Sequence, residues 1–195
     1  MARTFLEAEL RKLAIANYSI DRNILAKYLP NHTEIDLWNN ICYVSLVGFM
    51  FQETKIKGLK IPFHVNFEEV NLRFYVRYKD SDEWKRGVVF IKEIVPKPAL
   101  TFVANTVYKE NYETMPMSHS WTTLGDDLTV EYKWKKKQWN YLRVIADKNA
   151  TLIKGGSEEE FITEHYWGYT KISNTKPPSM ELNIRNGKFT TQKII

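Results

Sequence analysis

The residue of this sequence with the plainest chemical potential is Lys97, which stands between Pro96 and Pro98. Pro98 suits the first turn of a helix, and the partial positive charge of a helix N-terminus disfavours the charged form of a nearby lysine. A lysine kept neutral in this way can attack a carbonyl group and form a Schiff base. The alternative is a solvent-exposed lysine at a strand end, and the residues alone leave both interpretations open.

A second candidate is a row of polar residues that alternates with apolar ones between positions 69 and 78. Glu69, Asn71 and Arg73 share one face of the predicted strand. The apolar residues of the other face are Val70, Leu72, Phe74, Val76 and Tyr78. In a two-layer protein the polar face looks at solvent, whereas in a closed barrel it can line a pocket. In a pocket, Arg73 would offer a fork for a carboxylate, and Glu69 would orient a ligand or exchange protons with it.

The sequence argues against several other kinds of site. Its four histidines, at positions 32, 64, 119 and 165, lack the paired spacing of metal ligands, and a single cysteine, Cys42, argues against a structural zinc site. The sequence contains no glycine-rich phosphate loop and no Gly-x-Ser-x-Gly motif. We therefore expect neither a metal nor a cofactor, and we interpret Cys42 as a small buried hydrophobic residue.

The elements that must position these residues are predicted to be mainly strands, in a single domain that spans residues 1–195. This length suits one domain, and the aromatic residues, at 14%, pack well on a pleated sheet. Two short helices are predicted, at residues 22–29 and 98–108. The predicted strands cover residues 10–18, 34–52 with a tight turn at Asn39-Asn40, 69–78, 84–95, 115–123, 128–134, 139–146, 161–172 and 180–184. Many short strands at this spacing favour curved antiparallel sheets in a barrel or cone.

Charge and hydrophobicity limit the partners. The net charge of +5 comes from interleaved residues, 28 basic and 23 acidic, with one basic run at positions 135–137. Nucleic acid is disfavoured because its binding proteins concentrate charge on one face. The apolar stretch at residues 44–51 is too short to span a membrane, and the N-terminus shows no signal peptide. We expect a cytoplasmic protein that binds a small molecule, with a homo-oligomer left open.

Three segments of the chain carry a resemblance to known proteins: Asn66-Phe67-Glu68-Glu69-Val70-Asn71-Leu72-Arg73, Arg86-Gly87-Val88-Val89-Phe90 and Glu164-His165-Tyr166-Trp167-Gly168-Tyr169. Together, in this order, they resemble the YqjF-like family of uncharacterised bacterial proteins. The resemblance covers roughly residues 5–172. That family is in turn similar in fold to acetoacetate decarboxylase, which implies the same β-rich barrel or cone with a pocket. Family members tend to be longer at the C-terminus, which implies an abbreviated or irregular ending at residues 176–195.

The more distant resemblance implies site residues. Arg11 matches the pocket arginine of acetoacetate decarboxylase, Glu53 its pocket glutamate, and Pro96-Lys97 the proline and Schiff-base lysine of its Pro-Lys-Lys motif. Pro98 replaces the second lysine, which in that enzyme activates the first. The implied pocket is lined by Arg11, Glu53, Glu69, Asn71, Arg73 and Lys97.

Three functions stay open at this stage. The first is a pocket that binds or transforms a small organic acid or carbonyl compound, with decarboxylase-like or other carbonyl chemistry at Lys97 as one form of it. The second is a binding module without chemistry, for a metabolite or a protein. The third is nucleic-acid binding through the basic run, which dispersed charge disfavours.

Overall fold

The computed structural model describes residues 6–56, 59–165 and 167–169, and strands dominate them. The strands are β1 (Leu6–Ser19), β2 (Thr33–Ile35), β3 (Tyr43–Ile56), β4 (Phe67–Asp80), β5 (Glu83–Val95), β6 (Tyr112–Thr114), β7 (Met117–Leu124), β8 (Asp127–Lys135), β9 (Trp139–Asp147) and β10 (Trp167–Gly168). The mainly β prediction is confirmed.

Within these residues the strands form two sheets. The larger has the order β1-β3-β4-β5-β10, with β2 beside β4 and β6 beside β5, and only β6 and β10 run parallel to their neighbour. The smaller is the antiparallel series β7-β8-β9. The predicted barrel is wrong, because the outer strands of the larger sheet do not pair across the described part of the chain. Alternation along a strand shows which side chains share a face, not whether the edges of a sheet meet.

The described residues contain three helices, whereas two were predicted. The first, α1 (Arg22–Leu25), continues as a 3-10 turn at Ala26–Tyr28, and α2 (Pro98–Val103) continues as a π-helical turn at Ala104–Tyr108. These two confirm the predicted helical segments. The third, α3 (Glu158–Thr163), occupies positions where a turn and the start of a strand were expected.

Helix α3 forms because residues at its N-terminus cap one another. The Glu160 amide donates to Ser157 Oγ at 3.3 Å, and the Glu160 carboxylate accepts from the Gly156 amide at 2.6 Å. Ser-x-x-Glu is a helix-start signal that outweighs the strand-like residues after it. The strand predicted at 161–172 is therefore wrong at its start, and β10 covers two of its later residues. Residues from 170 onward, with the predicted strand at 180–184 and the ending at 176–195, lie outside the described residues.

Both faces of β4 are covered. On one face, Val70 packs with Ala14 of β1 and Tyr132 of β8, in the core between the two sheets. On the other face, Tyr75 packs against Phe161 of α3, with ring centroids 5.5 Å apart. Of the polar residues that alternate along β4, Glu69 and Asn71 are therefore buried inside the molecule, and Arg73 is partly buried.

Candidate functional site

A buried polar cluster lies on the face of β4 that the sequence singled out. Glu69 and Asn71 are each 2% exposed, and the Asn71 side-chain amide donates to Glu69 Oε1 at 2.9 Å. Glu93 of β5, also 2% exposed, stands directly opposite Asn71 in the strand register. Paired residues of neighbouring antiparallel strands point to the same face, so Glu93 joins this polar row.

Tyr112 places its hydroxyl group beside Glu69. It begins β6, whose parallel pairing sets it beside Glu93, and its hydroxyl donates to Glu69 Oε2 at 3.2 Å. Asn105, in the π-helical turn, fixes its backbone: the Asn105 amide donates to the Tyr112 carbonyl at 2.9 Å and accepts from the Tyr112 amide at 2.8 Å. Glu110 precedes Tyr112 in the connecting loop. We call Glu69, Glu93, Glu110 and Tyr112 the acidic cluster.

Burial raises the pKa values of the carboxyl groups in the acidic cluster. Desolvation raises the pKa of Glu69 to about 7, although hydrogen bonds from Asn71 and Tyr112 act in the opposite direction. Burial and the neighbouring Glu69 raise the pKa of Glu110 to about 7. Burial, Glu69 and Glu110 also raise the pKa of Glu93 well above its usual range. Carboxyl groups that titrate near neutral pH are suited to donating and accepting protons.

Three polar atoms beside the acidic cluster have no hydrogen-bond partner among the described residues. They are Asn71 Oδ1, Arg73 Nε and Glu93 Oε2. Arg73 follows Asn71 on the same face of β4, and its guanidinium carbon lies 5.9 Å from the centre of the Tyr75 ring. Buried polar atoms are nearly always paired in folded proteins, so three on neighbouring side chains mark a place where a polar molecule could bind.

A cleft of about 180 Å³ leads to the acidic cluster along β5. Its walls are formed by Lys27, Tyr28, Val89, Phe90, Ile91, Glu93, Lys109, Glu110, Asn111 and Tyr169. We call it the β5 cleft. The Asn111 side-chain amide donates to the Ile91 carbonyl at 2.7 Å, and the Asn111 carbonyl accepts from the Glu93 amide at 3.1 Å. These bonds hold the loop that carries Glu110 against β5.

Arg11 and Glu53 lie apart from the polar row that contains Glu69. Arg11 pairs with Met50, which pairs with Glu68, so Arg11 is on the opposite face of the sheet from Glu69. Its side chain is 60% exposed and forms an ion pair with Glu9 at 2.7 Å. The structure therefore does not bring Arg11 into the acidic cluster.

Glu53 stands at an irregularity of β3, where its φ of 55° is in the left-handed region. Its exposed carboxylate pairs with Lys60, and the hydrogen bond and charge of that lysine lower the pKa of Glu53.

Lys97 is partly buried at the residue before α2, where its carbonyl accepts from the Thr101 amide at 3.1 Å. Of the six predicted site residues, the structure groups Glu69, Asn71 and Arg73. The catalytic roles of Arg11, Glu53 and Lys97 stay predictions.

Glu93, Glu110 and Tyr112 were missed by the sequence reasoning. The sequence pattern could have indicated Glu93, since it is a charged residue between Ile91 and Val95 in a strand that pairs with the polar row of β4. No pattern in the sequence indicates Glu110 and Tyr112, because they reach the cluster only through the loop after α2 and the parallel pairing of β6.

A second buried network joins α3 to the larger sheet. Asp36 Oδ2 accepts from Arg86 Nε at 2.7 Å and lies 3.1 Å from His165 Nε2, while His165 Nδ1 lies 2.7 Å from the Phe161 carbonyl. Burial alone would raise the pKa of Asp36, but the hydrogen bonds of His165 and Arg86 outweigh it and lower the pKa. Every polar partner here is a protein group, so we assign this network to the fold.

In the part of the chain that the structure describes, no three histidine, cysteine, aspartate or glutamate side chains are arranged to hold a metal ion. None of the helices in that part of the chain has the length and apolar character to cross a membrane.

The fold is similar to that of several solved structures. Acetoacetate decarboxylase from Legionella pneumophila superposes with a TM-score of 0.58 at 14% identity, covering 91% of this chain and 64% of that one. The enduracididine biosynthesis enzyme MppR, solved with the condensation product of pyruvate and imidazole 4-carboxaldehyde, gives 0.58 at 11% identity over 77% of this chain and 58% of its own. An acetoacetate decarboxylase-like enzyme from Sphingomonas wittichii RW1 gives 0.54 at 12% identity over 89% and 68%. At such identities the likeness shows the fold alone.

Comparison of sequences places the family. The uncharacterized protein YqjF of Bacillus subtilis (strain 168) is 34% identical over 76 residues, which cover 38% of this chain and 30% of YqjF. The alignment thus spans less than a third of that relative. The model of the DUF2071 family, described as an uncharacterized conserved protein, matches residues 7–194. The chain therefore belongs to the DUF2071 family, and its fold is similar to that of acetoacetate decarboxylase.

Proposed function

We propose that this chain binds a small organic acid or carbonyl compound beside the acidic cluster, on the face of β4 that carries Glu69, Asn71 and Arg73. The observation that carries the proposal is the group of unpartnered polar atoms on Asn71, Arg73 and Glu93 within the described residues. The similarity in fold to enzymes that act on small oxo acids supports it, as an analogy and not as proof of a shared reaction.

Buried polar atoms without hydrogen bonds favour the binding of a polar ligand beside them. Leaving a buried donor or acceptor unpaired costs about 1–3 kcal/mol. A carboxylate or carbonyl oxygen would accept from Arg73, and a hydroxyl or carboxyl proton would be shared with Asn71 or Glu93. A ligand that offers both kinds of oxygen would pair all three atoms at once.

The acidic cluster adds a chemical option to binding. A carboxyl group with a pKa of about 7, such as that of Glu69, can protonate a carbonyl oxygen or accept a proton from the adjacent carbon at neutral pH. Proton exchange of this kind does not depend on Lys97. Schiff-base chemistry at Lys97 remains a separate part of the proposal, since no described contact joins Lys97 to the cluster.

Isothermal titration calorimetry with a panel of small carboxylates, oxo acids, aldehydes and ketones tests the proposal. We expect a member of the panel to bind, and Arg73→Gln to weaken its affinity by about 10–100-fold, since a hydrogen bond to a charged group contributes roughly 1.5–3 kcal/mol. Arg77→Gln is the matched control. Arg77 lies on the same strand and face but pairs with Glu34, so its loss should leave the affinity unchanged. Equal loss in both variants, or binding by no member, would refute the proposal.

Reductive trapping separates the catalytic from the non-catalytic form of the proposal. The protein is incubated with a carbonyl compound that binds, reduced with borohydride and weighed by intact mass spectrometry, with Lys97→Ala as control. A reduced adduct mapped to Lys97 would support a nucleophilic lysine. Equal labelling of the control, or no adduct, would leave non-covalent proton chemistry or binding alone.

A further inference from the structure

The β5 cleft is walled by described residues, and two of them, Glu93 and Glu110, belong to the acidic cluster. Its volume of about 180 Å³ is enough for several water molecules. That volume suits a short organic molecule. Tyr28, Phe90 and Tyr169 supply aromatic walls, so the site can also cover the apolar part of such a molecule.

Charged groups of both signs line the β5 cleft. Lys27, from the 3-10 turn after α1, and Lys109, at the end of the π-helical turn, bring two cations. Glu93 and Glu110 bring two carboxyl groups. An anion entering between the lysines would therefore meet carboxyl groups, and it can be accommodated only where these groups are protonated.

Glu93 is both a residue of the cleft wall and a buried carboxyl group. It is 2% exposed, and its Oε2 has no hydrogen-bond partner in the described residues. A protonated Oε2 would be a strong donor to a carboxylate, and a shared proton between two carboxyl groups forms a short, charge-assisted hydrogen bond.

We propose that the β5 cleft admits a small monocarboxylate and that its binding is coupled to the uptake of a proton by the acidic cluster. The inference rests on the proposed function, and it adds the ligand's charge, its route and the proton. The ligand carboxylate enters as an anion, a proton comes from solvent, and the proton is shared between the ligand and Glu93. No covalent bond forms or breaks.

The surroundings of Glu93 explain why a proton must accompany the anion. Glu69 and Glu110 act on its charge, Tyr112 is its neighbour in β6, and Lys27 and Lys109 stand at the cleft, while Arg73 acts on Glu69. Three carboxyl groups in mutual reach cannot all ionise next to a fourth. Arg73 favours the ionised form of Glu69, whereas burial disfavours the ionised forms of Glu93 and Glu110, so these two hold protons when the anion binds.

Calorimetry of the wild-type chain with acetate, pyruvate and acetoacetate tests the inference. Titrations at pH 7 in phosphate and in Tris give the number of protons taken up, because buffers of different ionisation enthalpy contribute different heats. We expect uptake of about half a proton to one proton per ligand, and an affinity that falls up to tenfold for each unit of pH above about 7. Acetone and acetaldehyde, as neutral probes, should bind without proton uptake.

Two variants assign the proton. Glu93→Gln keeps the shape and a donor but cannot titrate, so we expect the proton uptake to fall at least by half. Glu113→Gln, on β6 next to Tyr112, removes a carboxylate that pairs with Lys92 at 2.9 Å and should change nothing. Circular dichroism checks that both variants fold.

The outcomes separate the inference from the function on which it rests. Carboxylate binding without net proton uptake, or binding of the neutral probes alone, would overturn the inference and leave the proposed function standing. Binding by none of the five compounds would overturn the inference, and binding by no member of the wider panel would overturn the proposed function as well. The number of protons that the wild-type chain takes up per ligand tests the inference even if Glu93→Gln does not fold.

Discussion

At the scale of the residue, Glu69 shows how position changes the chemistry of a side chain. A glutamate on a solvated strand is ionised at neutral pH. Glu69 lies inside the molecule with hydrogen bonds to Asn71 and Tyr112, and burial raises its pKa to about 7. Its proton is therefore held by the folded chain and released by the unfolded chain over more than two units of pH.

This difference predicts how stability depends on pH. Between the usual pKa of 4.5 and about 7, the unfolded state binds fewer protons at Glu69 than the folded state does, so the free energy of unfolding falls as pH rises. Relative to Glu69→Gln, the wild type should lose roughly 3 kcal/mol between pH 4 and pH 8. Urea denaturation at a series of pH values measures it.

Glu113→Gln is the control of opposite sign. Its partner Lys92 lowers the pKa of Glu113, so that carboxylate stabilises the fold above pH 4.5 and the contribution is lost on acidification. If the difference between wild type and Glu69→Gln is independent of pH, the pKa of Glu69 is the same in the folded and unfolded chains, and Glu69 holds no proton at neutral pH.

At the scale of the element, the turn before β3 shows local sequence deciding local structure. Asn39 and Asn40 both have positive φ, at 47° and 66°, and the flanking Trp38 and Ile41 exchange backbone hydrogen bonds of 3.1 and 2.8 Å. Two consecutive left-handed residues form a type I′ turn, which twists with the strands it joins. Asparagine tolerates this conformation better than other residues with a side chain.

The turn predicts a stabilising substitution. Asn40→Gly would remove the remaining strain of the left-handed residue and create the Asn-Gly pair that these turns prefer, for a gain of less than about 1 kcal/mol. Asn40→Val, with a branched side chain, should cost about 1–2 kcal/mol. Thermal denaturation compares the three chains, and a Val variant as stable as the Gly variant would mean that the turn has another conformation.

At the scale of the whole molecule, Gly48 is a point of close contact between the two sheets. A Cβ atom there would lie 2.7 Å from Cδ2 and 3.1 Å from Cγ of Tyr132, whose ring is fully buried. The ring cannot retreat easily, because its hydroxyl donates to the Lys12 carbonyl at 2.8 Å. The absence of a side chain at Gly48 therefore lets β8 lie on β3.

We expect Gly48→Ala to destabilise the chain by about 1–3 kcal/mol through overpacking between the sheets. The control is Gly155→Ala, whose added Cβ would find its nearest atom at 3.9 Å, on the Glu160 side chain. Equilibrium denaturation measures both. A Gly48→Ala variant as stable as the wild type would show that the sheets can separate without cost, contrary to this packing.

The strands, turns and helices whose formation depends on residues close together in the chain could be predicted from the sequence. The alternation along β4, the Asn39-Asn40 turn and the two helical segments follow from periods and residue types that act within a few positions. Helix α3 was not predicted, because the residues after its N-cap, Ser157, are of types that favour a strand.

What the sequence determined by itself is the mainly β class and the polar row of Glu69, Asn71 and Arg73, because side chains two positions apart share a face of any strand. Only the tertiary structure decided that the larger sheet stays open and that Glu69 and Asn71 of this row are buried. It also decided that Glu93, Glu110 and Tyr112 join Glu69 while Arg11 faces the other way. These outcomes depend on register, bulges and loop paths, which pair residues far apart in the chain and leave no periodic signal in it.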